Sequence, residues 1–363
     1  MRVALMISSL GPGGAERIMS LLAGELVARG HDVWLVTLAQ TGEDFFLVDS
    51  RVHRLGLGLS RESTRIWDAL YANVCRIRAL RRAVMSAAPD VVLSFMTRTN
   101  VLVLLACNGL RVRVVVSERV DPASHRERLL WRGLRSLLYQ RADAVVVQTE
   151  RVAAWFRRRL WRRDRVVVIP NLVVPGEQTL DPSEPPPQPF ILGAGRLVHQ
   201  KGFDVLIRAF GAVAPDAPQL QLVIAGEGPE AQRLRELAAG LGLGFRVTFL
   251  GNVRNLSALM RHAVAFVLSS RYEGFPNVLL EALACGLPIV ATDCPEGPRE
   301  ILAHGQYGLL VPCNDAAALA GAIARLMADA QLRQRLSALG PIATAPYEKC
   351  RVVDAWESVL AHS

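Results

Sequence analysis

Residues 190–210 read Phe190-Ile-Leu-Gly-Ala-Gly-Arg-Leu-Val-His-Gln-Lys-Gly-Phe-Asp-Val-Leu-Ile-Arg-Ala-Phe210. A short apolar run ends in glycine, a polar turn carries Arg196 and Lys201, and apolar residues then recur at near-helical spacing. A strand too apolar to have a wet face, followed at once by such a helix, is the repeating unit of a parallel sheet covered on both sides. The same alternation continues through Leu220–Gly226, Val247–Leu250, Ala265–Leu268, Pro288–Thr292 and Leu309–Val311. It is also present upstream, in Val3–Ser8, Val33–Leu38, Val91–Phe95, Val112–Ser117, Ala144–Gln148 and Val166–Ile169. The fold class expected is therefore α/β, with two Rossmann-like doubly wound domains facing a central cleft, where open α/β sheets bind ligands.

A chain of 363 residues exceeds what one core usually supports, which agrees with two domains. Between them lies VVPGEQTLDPSEPPPQP, residues 173–189, whose prolines continue neither helix nor central strand. The division expected is a first domain over 1–172, this linker, a second domain over 190–345, and a tail over 346–363. The tail holds an amphipathic helix, Glu348–His362, with the first domain as one surface it could pack on.

The opening MRVALMISSL is read as a buried first strand rather than a signal peptide, because GPGGAER follows with no small-residue cleavage pattern. No apolar run reaches the ~18 residues of a spanning helix, since Arg98 interrupts the best one, Val91 to Cys107. Six scattered cysteines without a CxxC pair, and no His at ligand spacing, point to a reducing cytosol and to no metal or other cofactor.

The net charge of +9 is uneven: residues 1–176 hold 27 Arg and no Lys against 15 acids, and the remainder is slightly acidic. Bases interleave with Leu and Trp in Arg126–Arg141 and Arg151–Arg165. That pattern suits a surface resting on anionic lipid headgroups at the inner face of the cell membrane better than nucleic acid, and a merely solvated helix face is the plain alternative.

Three stretches carry chemistry. Gly11-Pro-Gly-Gly-Ala-Glu-Arg17 follows the first strand and opens a helix, so Gly13 and Gly14 let the backbone approach an anion at free N–H groups. It is not the dinucleotide pattern GxGxxG, which disfavours NAD. Arg196 and Lys201 suit a diphosphate whose charge must be stabilised as it leaves, and the chain's 40 Arg and two Lys make Lys201 a conspicuous exception to its Arg usage. Finally, Glu273-Gly-Phe-Pro-Asn277 runs into Val-Leu-Leu-Glu281. One carboxylate in the loop and one a turn into the helix address two ends of one ligand: Glu281 a ribose diol, Glu273 the transferring sugar, with Gly274 and Phe275 offering backbone N–H groups.

GGAE, GRLVHQKGFDVLIRAF, VIAGEGPE and SSRYEGFPNVLLEALACGLPIVATDCPEGPREIL, in this order and spacing, resemble the family-4 retaining glycosyltransferases of the GT-B fold. The resemblance spans nearly the whole chain and is densest from Phe190 to Pro312. It implies that Arg196 and Lys201 hold the donor diphosphate, with Glu273 on the donor sugar and Glu281 on the ribose. Gly226 and Asn277 complete the donor side. The base would be held by backbone around Asn252 and Val253, which fits UDP better than GDP without excluding it.

Ser117–Pro122 and Asp293–Pro298 are similar to members that add hexoses or amino-sugars to polyprenyl-diphosphate-linked glycans of bacterial surface polysaccharides. Many members carry a His after the strand matching Val112–Ser117, where this chain has Glu118 and Arg119, the residues expected on the acceptor side. The resemblance thus implies transfer of a hexose or N-acetylhexosamine, without metal, by same-face attack beside the departing nucleotide. A nucleotide-sugar epimerase of the same fold, or a non-catalytic basic lipid-binding protein, are the alternatives.

Overall fold

The computed structural model describes residues 1–60, 66–122, 127–173, 189–253, 255–294 and 297–361. Most of the linker, Arg126, Arg254 and two residues of the 293–298 loop lie outside them. The chain divides into two compact units: residues 1–172 with 349–363, and residues 173–348.

In the first unit β1 (Arg2–Ile7), β2 (Asp32–Thr37), β3 (His53–Gly56), β4 (Val91–Phe95), β5 (Arg113–Ser117), β6 (Ala144–Val147) and β7 (Val166–Val168) form one sheet. Its order is β3-β2-β1-β4-β5-β6-β7, with every pair parallel. Near-continuous apolar runs explain the central strands: Val3 to Met6 and Val91 to Phe95 are wholly or almost wholly buried. The helices are α1 (Gly14–Ala28), α2 (Ile66–Ala87), α3 (Thr97–Ala106), α4 (Leu129–Leu138) and α5 (Glu150–Arg157). Thr149 caps α5 by accepting from the Val152 N–H.

The second unit repeats the plan with β8 (Phe190–Ala194), β9 (Gln221–Ala225), β10 (Val247–Gly251), β11 (Ala265–Leu268), β12 (Ile289–Thr292) and β13 (Leu309–Val311), ordered β10-β9-β8-β11-β12-β13 and parallel throughout. Its helices are α6 (Phe203–Val213), α7 (Ala231–Gly240), α8 (Leu256–His262), α9 (Asn277–Ala284), α10 (Pro298–Ile301), α11 (Ala316–Ala328) and α12 (Ala330–Thr344).

The last helix, α13 (Lys349–Ala361), belongs to the first unit. Trp356 is buried there. Arg29 donates to Asp354 (2.5 Å) and to Glu357, His31 pairs with Glu357 at 2.6 Å, and Arg113 donates to the Val359 carbonyl at 3.0 Å. Strand limits differ from the sequence reading by a residue or two at some ends. β3 is an addition the alternation did not reveal.

Candidate active site

In the second sheet the strand order reverses between β8 and β11, and such switch points are where open α/β sheets bind ligands. The chain leaves β8 through Gly195 and Arg196 and turns at 199–201 into α6. It leaves β11 through Ser269–Glu273 into α9. Two segments about seventy positions apart thus meet at one end of neighbouring strands.

They are laced together. The Arg271 N–H donates to the Gln200 carbonyl (2.8 Å), Gln200 Nε2 to the Tyr272 carbonyl (2.9 Å), and Ser269 Oγ to the Lys201 carbonyl (2.9 Å). Arg271 also forks onto Asp204 at 2.8 and 2.9 Å and reaches the His199 carbonyl at 2.7 Å. Burial pushes the Asp204 carboxyl up, but the hydrogen bonds and charge of Arg271 outweigh this and hold it below the usual carboxylate range. Gly202 makes the approach possible: its φ is +63°, and a Cβ there would sit 2.1 Å from the Ser269 carbonyl oxygen.

Within this frame Lys201 Nζ lies 2.6 Å from Glu273 Oε1, which also accepts from Ser270 Oγ at 2.5 Å. Glu273 is buried and Lys201 nearly so. Thr292 Oγ1 donates to the Ser270 carbonyl at 2.5 Å, tying the carboxylate's loop to β12. Arg196 is exposed beside this pair in the chain, its guanidinium available to solvent. Cationic donors of both kinds, one rigid fork and one point charge, leave the same strand end.

Asn277 begins α9, with Glu281 a turn further on and buried. Phe275 is buried edge-on against Tyr347, with ring centroids 5.8 Å apart, so its side chain anchors the loop while Gly274 stays half-exposed. Gly297, at φ +83°, packs where a Cβ would meet Pro276 Cδ at 2.4 Å, so it lies close against the residue that precedes α9. Gly226 has φ +137°, and a Cβ would lie 2.0 Å from the Gly195 carbonyl oxygen, so the ends of β8 and β9 close up as no other residue would allow. Asn252 donates to Glu227 at 3.0 Å, and Val253 follows it half-buried. Among the described residues no group of three His, Cys, Asp or Glu side chains is placed to hold a metal ion.

In the first unit Gly13 is the residue before α1 and Gly14 its first, at the carboxyl end of β1. Glu118 and Arg119, the residues expected on the acceptor side, are both buried in the first unit. Glu118 accepts from Thr97 Oγ1 (2.7 Å) and Tyr139 Oη (3.0 Å), with Arg135 at 3.9 Å. Burial raises its pKa despite these partners. Arg119 lies over the Phe95 ring at 3.7 Å, faces the Trp356 ring at 5.4 Å and donates to Asn171 Oδ1 at 2.6 Å. Its burial lowers its pKa to about 9. The sequence did not show the Ser94–Asn100–Tyr139 chain behind Glu118, nor Arg271 and Asp204 behind Lys201. The only signal for the latter pair was their position next to the two motifs.

Two family models cover the chain: "Glycosyl transferase 4-like domain" over residues 13–172 and "Glycosyl transferases group 1" over residues 178–341. Both models describe sugar-transferring enzymes, and the two parallel sheets agree with them. The chain belongs to the family-4 glycosyltransferases of the GT-B fold.

It is 32% identical over 96% of its length to an exopolysaccharide phosphotransferase of Streptomyces coelicolor, but spans only 39% of that relative's length. It is 27% identical to an alpha-1,4-N-acetyl-D-galactosaminyltransferase of Campylobacter jejuni, covering 99% of this chain and 98% of that one. The name of the latter gives its acceptor as a GalNAc-containing glycan on diphospho-undecaprenol. Among solved structures, the Anabaena HepE protein in complex with UDP-glucose superposes with a TM-score of 0.83 at 20% identity over 99% of both chains.

Proposed function

We propose that this glycosyltransferase moves a hexose or N-acetylhexosamine from a UDP-linked donor, with retention of anomeric configuration, onto a glycan carried by a polyprenyl diphosphate. The observation that carries the donor side is the Lys201–Glu273 pair at the switch point, with Arg196 beside it. A half-buried ammonium already held by a carboxylate is poised for exchange: a diphosphate entering the site takes over Lys201, and Glu273 is released toward the sugar. Arg196 and Lys201 then stabilise the charge that grows on the departing nucleotide, a task preorganised cations perform without a metal. The acceptor hydroxyl enters on the face the nucleotide leaves, and a phosphate oxygen takes its proton. Glu281 accepts from the ribose hydroxyls, and the backbone of Gly226, Asn252, Val253, Gly274 and Phe275 supports the rest of the donor.

The acceptor class rests on the full-length Campylobacter relative, whose named substrate is a diphospho-undecaprenol glycan. The test is release of UDP from a panel of UDP- and GDP-sugars, with and without polyprenyl-diphosphate glycans, with the anomeric configuration of the product read by NMR. Release only with a UDP-sugar and a lipid-linked acceptor, giving the α-linked product from an α-linked donor, is expected. Transfer to soluble sugars alone, or inversion, overturns the reading.

A further inference from the structure

Arg271 stands two residues before Glu273, in a segment tied to three other strand ends of the second sheet. Ser269 Oγ reaches the turn after β8, and the Ser270 carbonyl takes the Thr292 hydroxyl at the end of β12. The third tie is to the loop after β13. Arg271 Nε donates to Asn314 Oδ1 at 2.6 Å, and the neighbouring Cys313 thiol is directed at the Ser270 and Arg271 carbonyls, both at 3.8 Å. Asn314 has φ +59°, a left-handed conformation that Asn tolerates better than most side chains.

The rest of the guanidinium faces the turn that carries Lys201. Nη1 donates to the His199 carbonyl (2.7 Å) and Asp204 Oδ1 (2.9 Å), and Nη2 donates to Asp204 Oδ2 (2.8 Å). His199 lies two residues before Lys201 and Asp204 three after it, so one side chain grips the turn on both sides of its lysine. Four bonds from a group with five N–H donors commit Arg271 to the protein. Its charge is matched by Asp204, and its side chain is only 14% exposed, so it is placed to hold this turn and not to take a phosphate itself. A planar fork spans Asn314, His199 and Asp204 at once, which the single nitrogen of a lysine does not.

We infer that Arg271 is a positioning residue for the transfer reaction: it fixes the turn so that Lys201 stays at the reacting phosphate after its bond to Glu273 is given up. The inference deepens the proposed donor site and rests on that reading of Lys201. The ion pair with Glu273 holds the ammonium only until a diphosphate displaces the carboxylate. The ammonium then sits at the end of a flexible four-carbon stem, and the backbone turn decides where it reaches. The side-chain bonds from Ser269 to Lys201 and from Gln200 to Tyr272 join neutral groups, whereas the fork of Arg271 on Asp204 is charge-assisted, bidentate and roughly twice as strong per bond. A loosened turn still lets the stem find a bound diphosphate, but it does not keep the ammonium where charge grows in the transition state. Turnover therefore depends on Arg271 more than donor binding does.

The test is a double-mutant cycle in turnover on the full chain, with UDP affinity of each variant measured by calorimetry. Turnover is UDP release from whichever UDP-sugar supports the fastest wild-type reaction. Arg271→Ala is expected to lower turnover at saturating donor about a hundredfold, the scale of a small misplacement of reacting groups, and to change UDP affinity less than about threefold. Arg271→Lys, which keeps the charge and loses the fork, should show the same division and carries the comparison if the alanine variant does not fold. Because Arg271 acts through Lys201, Lys201→Ala/Arg271→Ala should be no more than about threefold slower than Lys201→Ala alone. Losses that multiply in the double variant, equal losses of turnover and UDP affinity, or near-normal turnover in either Arg271 variant overturn the inference and leave the proposed donor site standing. Near-normal turnover of Lys201→Ala, or no release from any UDP-sugar, removes that donor site and this inference with it.

Discussion

Lys201 and Glu273, 72 positions apart in the chain, form a 2.6 Å ion pair at the reversal point of the second sheet. Arg196, close by in sequence, is exposed. The difference separates two effects of removing a cation proposed to bind the donor. Lys201→Ala strands the buried Glu273 carboxylate, a loss on the order of 3–5 kcal/mol for a buried pair. Arg196→Ala strands nothing. Both should lower turnover roughly 10²–10³-fold, the scale of one lost oxyanion-type donor. Thermal melts with steady-state kinetics check this: both variants slow, and Lys201→Ala alone melts early. Lys201→Ala/Glu273→Gln should recover the melting temperature without recovering turnover.

The two acids of the 273–281 stretch have different surroundings and so different expected losses. Glu281→Gln keeps shape but removes the charge that would strengthen the two proposed ribose hydrogen bonds, and should weaken UDP binding by about 1.5–3 kcal/mol. Glu273→Gln should lower turnover more than UDP affinity. Calorimetric titration of UDP into both variants, beside their kinetics, measures the division. Equal loss of UDP affinity would contradict it.

Most of the architecture was legible because parallel strands buried on both faces are written as plain apolar runs, as in Val91–Phe95 and Phe190–Ala194. β3 was not: His53-Arg-Leu-Gly56 is a polar edge strand, whose Arg54 bonds Asp44 and backbone instead of presenting an apolar side chain. Of the candidate site, the sequence marks Lys201, Glu273 and Glu281 by chemistry and spacing, and the structure pairs the first two of them. The site was illegible where a role depends on a distant partner. Nothing in the sequence shows that Glu118 bonds Tyr139 or that Arg119 lies against Phe95 and Trp356. Arg271 looks like any other arginine until Asp204 and His199 are placed around it.

Gly202→Ala tests the lacing of the site directly. The new Cβ would stand 2.1 Å from a backbone oxygen at a φ of +63°, so the turn carrying Lys201 must move away from Ser269. A strained αL conformation alone costs about 1–3 kcal/mol. The variant should melt several degrees lower and lose turnover, although no charged group has changed. Gly30→Ala, at φ +85° with open space around it, carries the backbone strain without the clash and should leave turnover intact.

Glu357 makes the stability of the first unit sensitive to acid. Burial pushes its carboxyl up, but hydrogen bonds from His31 and Arg29 together with the charge of Arg29 outweigh this, and its folded pKa lies below its ordinary value. A depressed carboxylate stabilises the fold above its unfolded pKa, and that stabilisation disappears as pH falls through the folded value. Glu357→Gln should therefore lower the melting temperature at neutral pH and narrow its difference from wild type below about pH 4. Melting curves from pH 3 to 8 check the sign. A gap that widens in acid would mean that Glu357 is not what anchors α13.

Arg119 poses the sharpest question, because its guanidinium is buried between the rings of Phe95 and Trp356, while its nearest polar partner, Asn171, is neutral. No acid contributes to its lowered pKa, which comes from burial alone, yet at neutral pH it remains charged. A buried cation of this kind is expensive, and replacing one by an apolar side chain of similar volume is often neutral or stabilising. Against that stand the lost bond to Asn171, about 1 kcal/mol, and a desolvated cation–π contact of about 2 kcal/mol. Arg119→Met keeps the volume between the rings and should leave stability within about 1 kcal/mol of wild type, whereas Arg119→Ala, which opens a cavity, should be clearly destabilising. Chemical denaturation of both variants separates packing from charge. A large loss in Arg119→Met would show that the charge itself holds Asn171 and α13 in place. A normal melt with lost turnover would assign Arg119 a part in the transfer reaction.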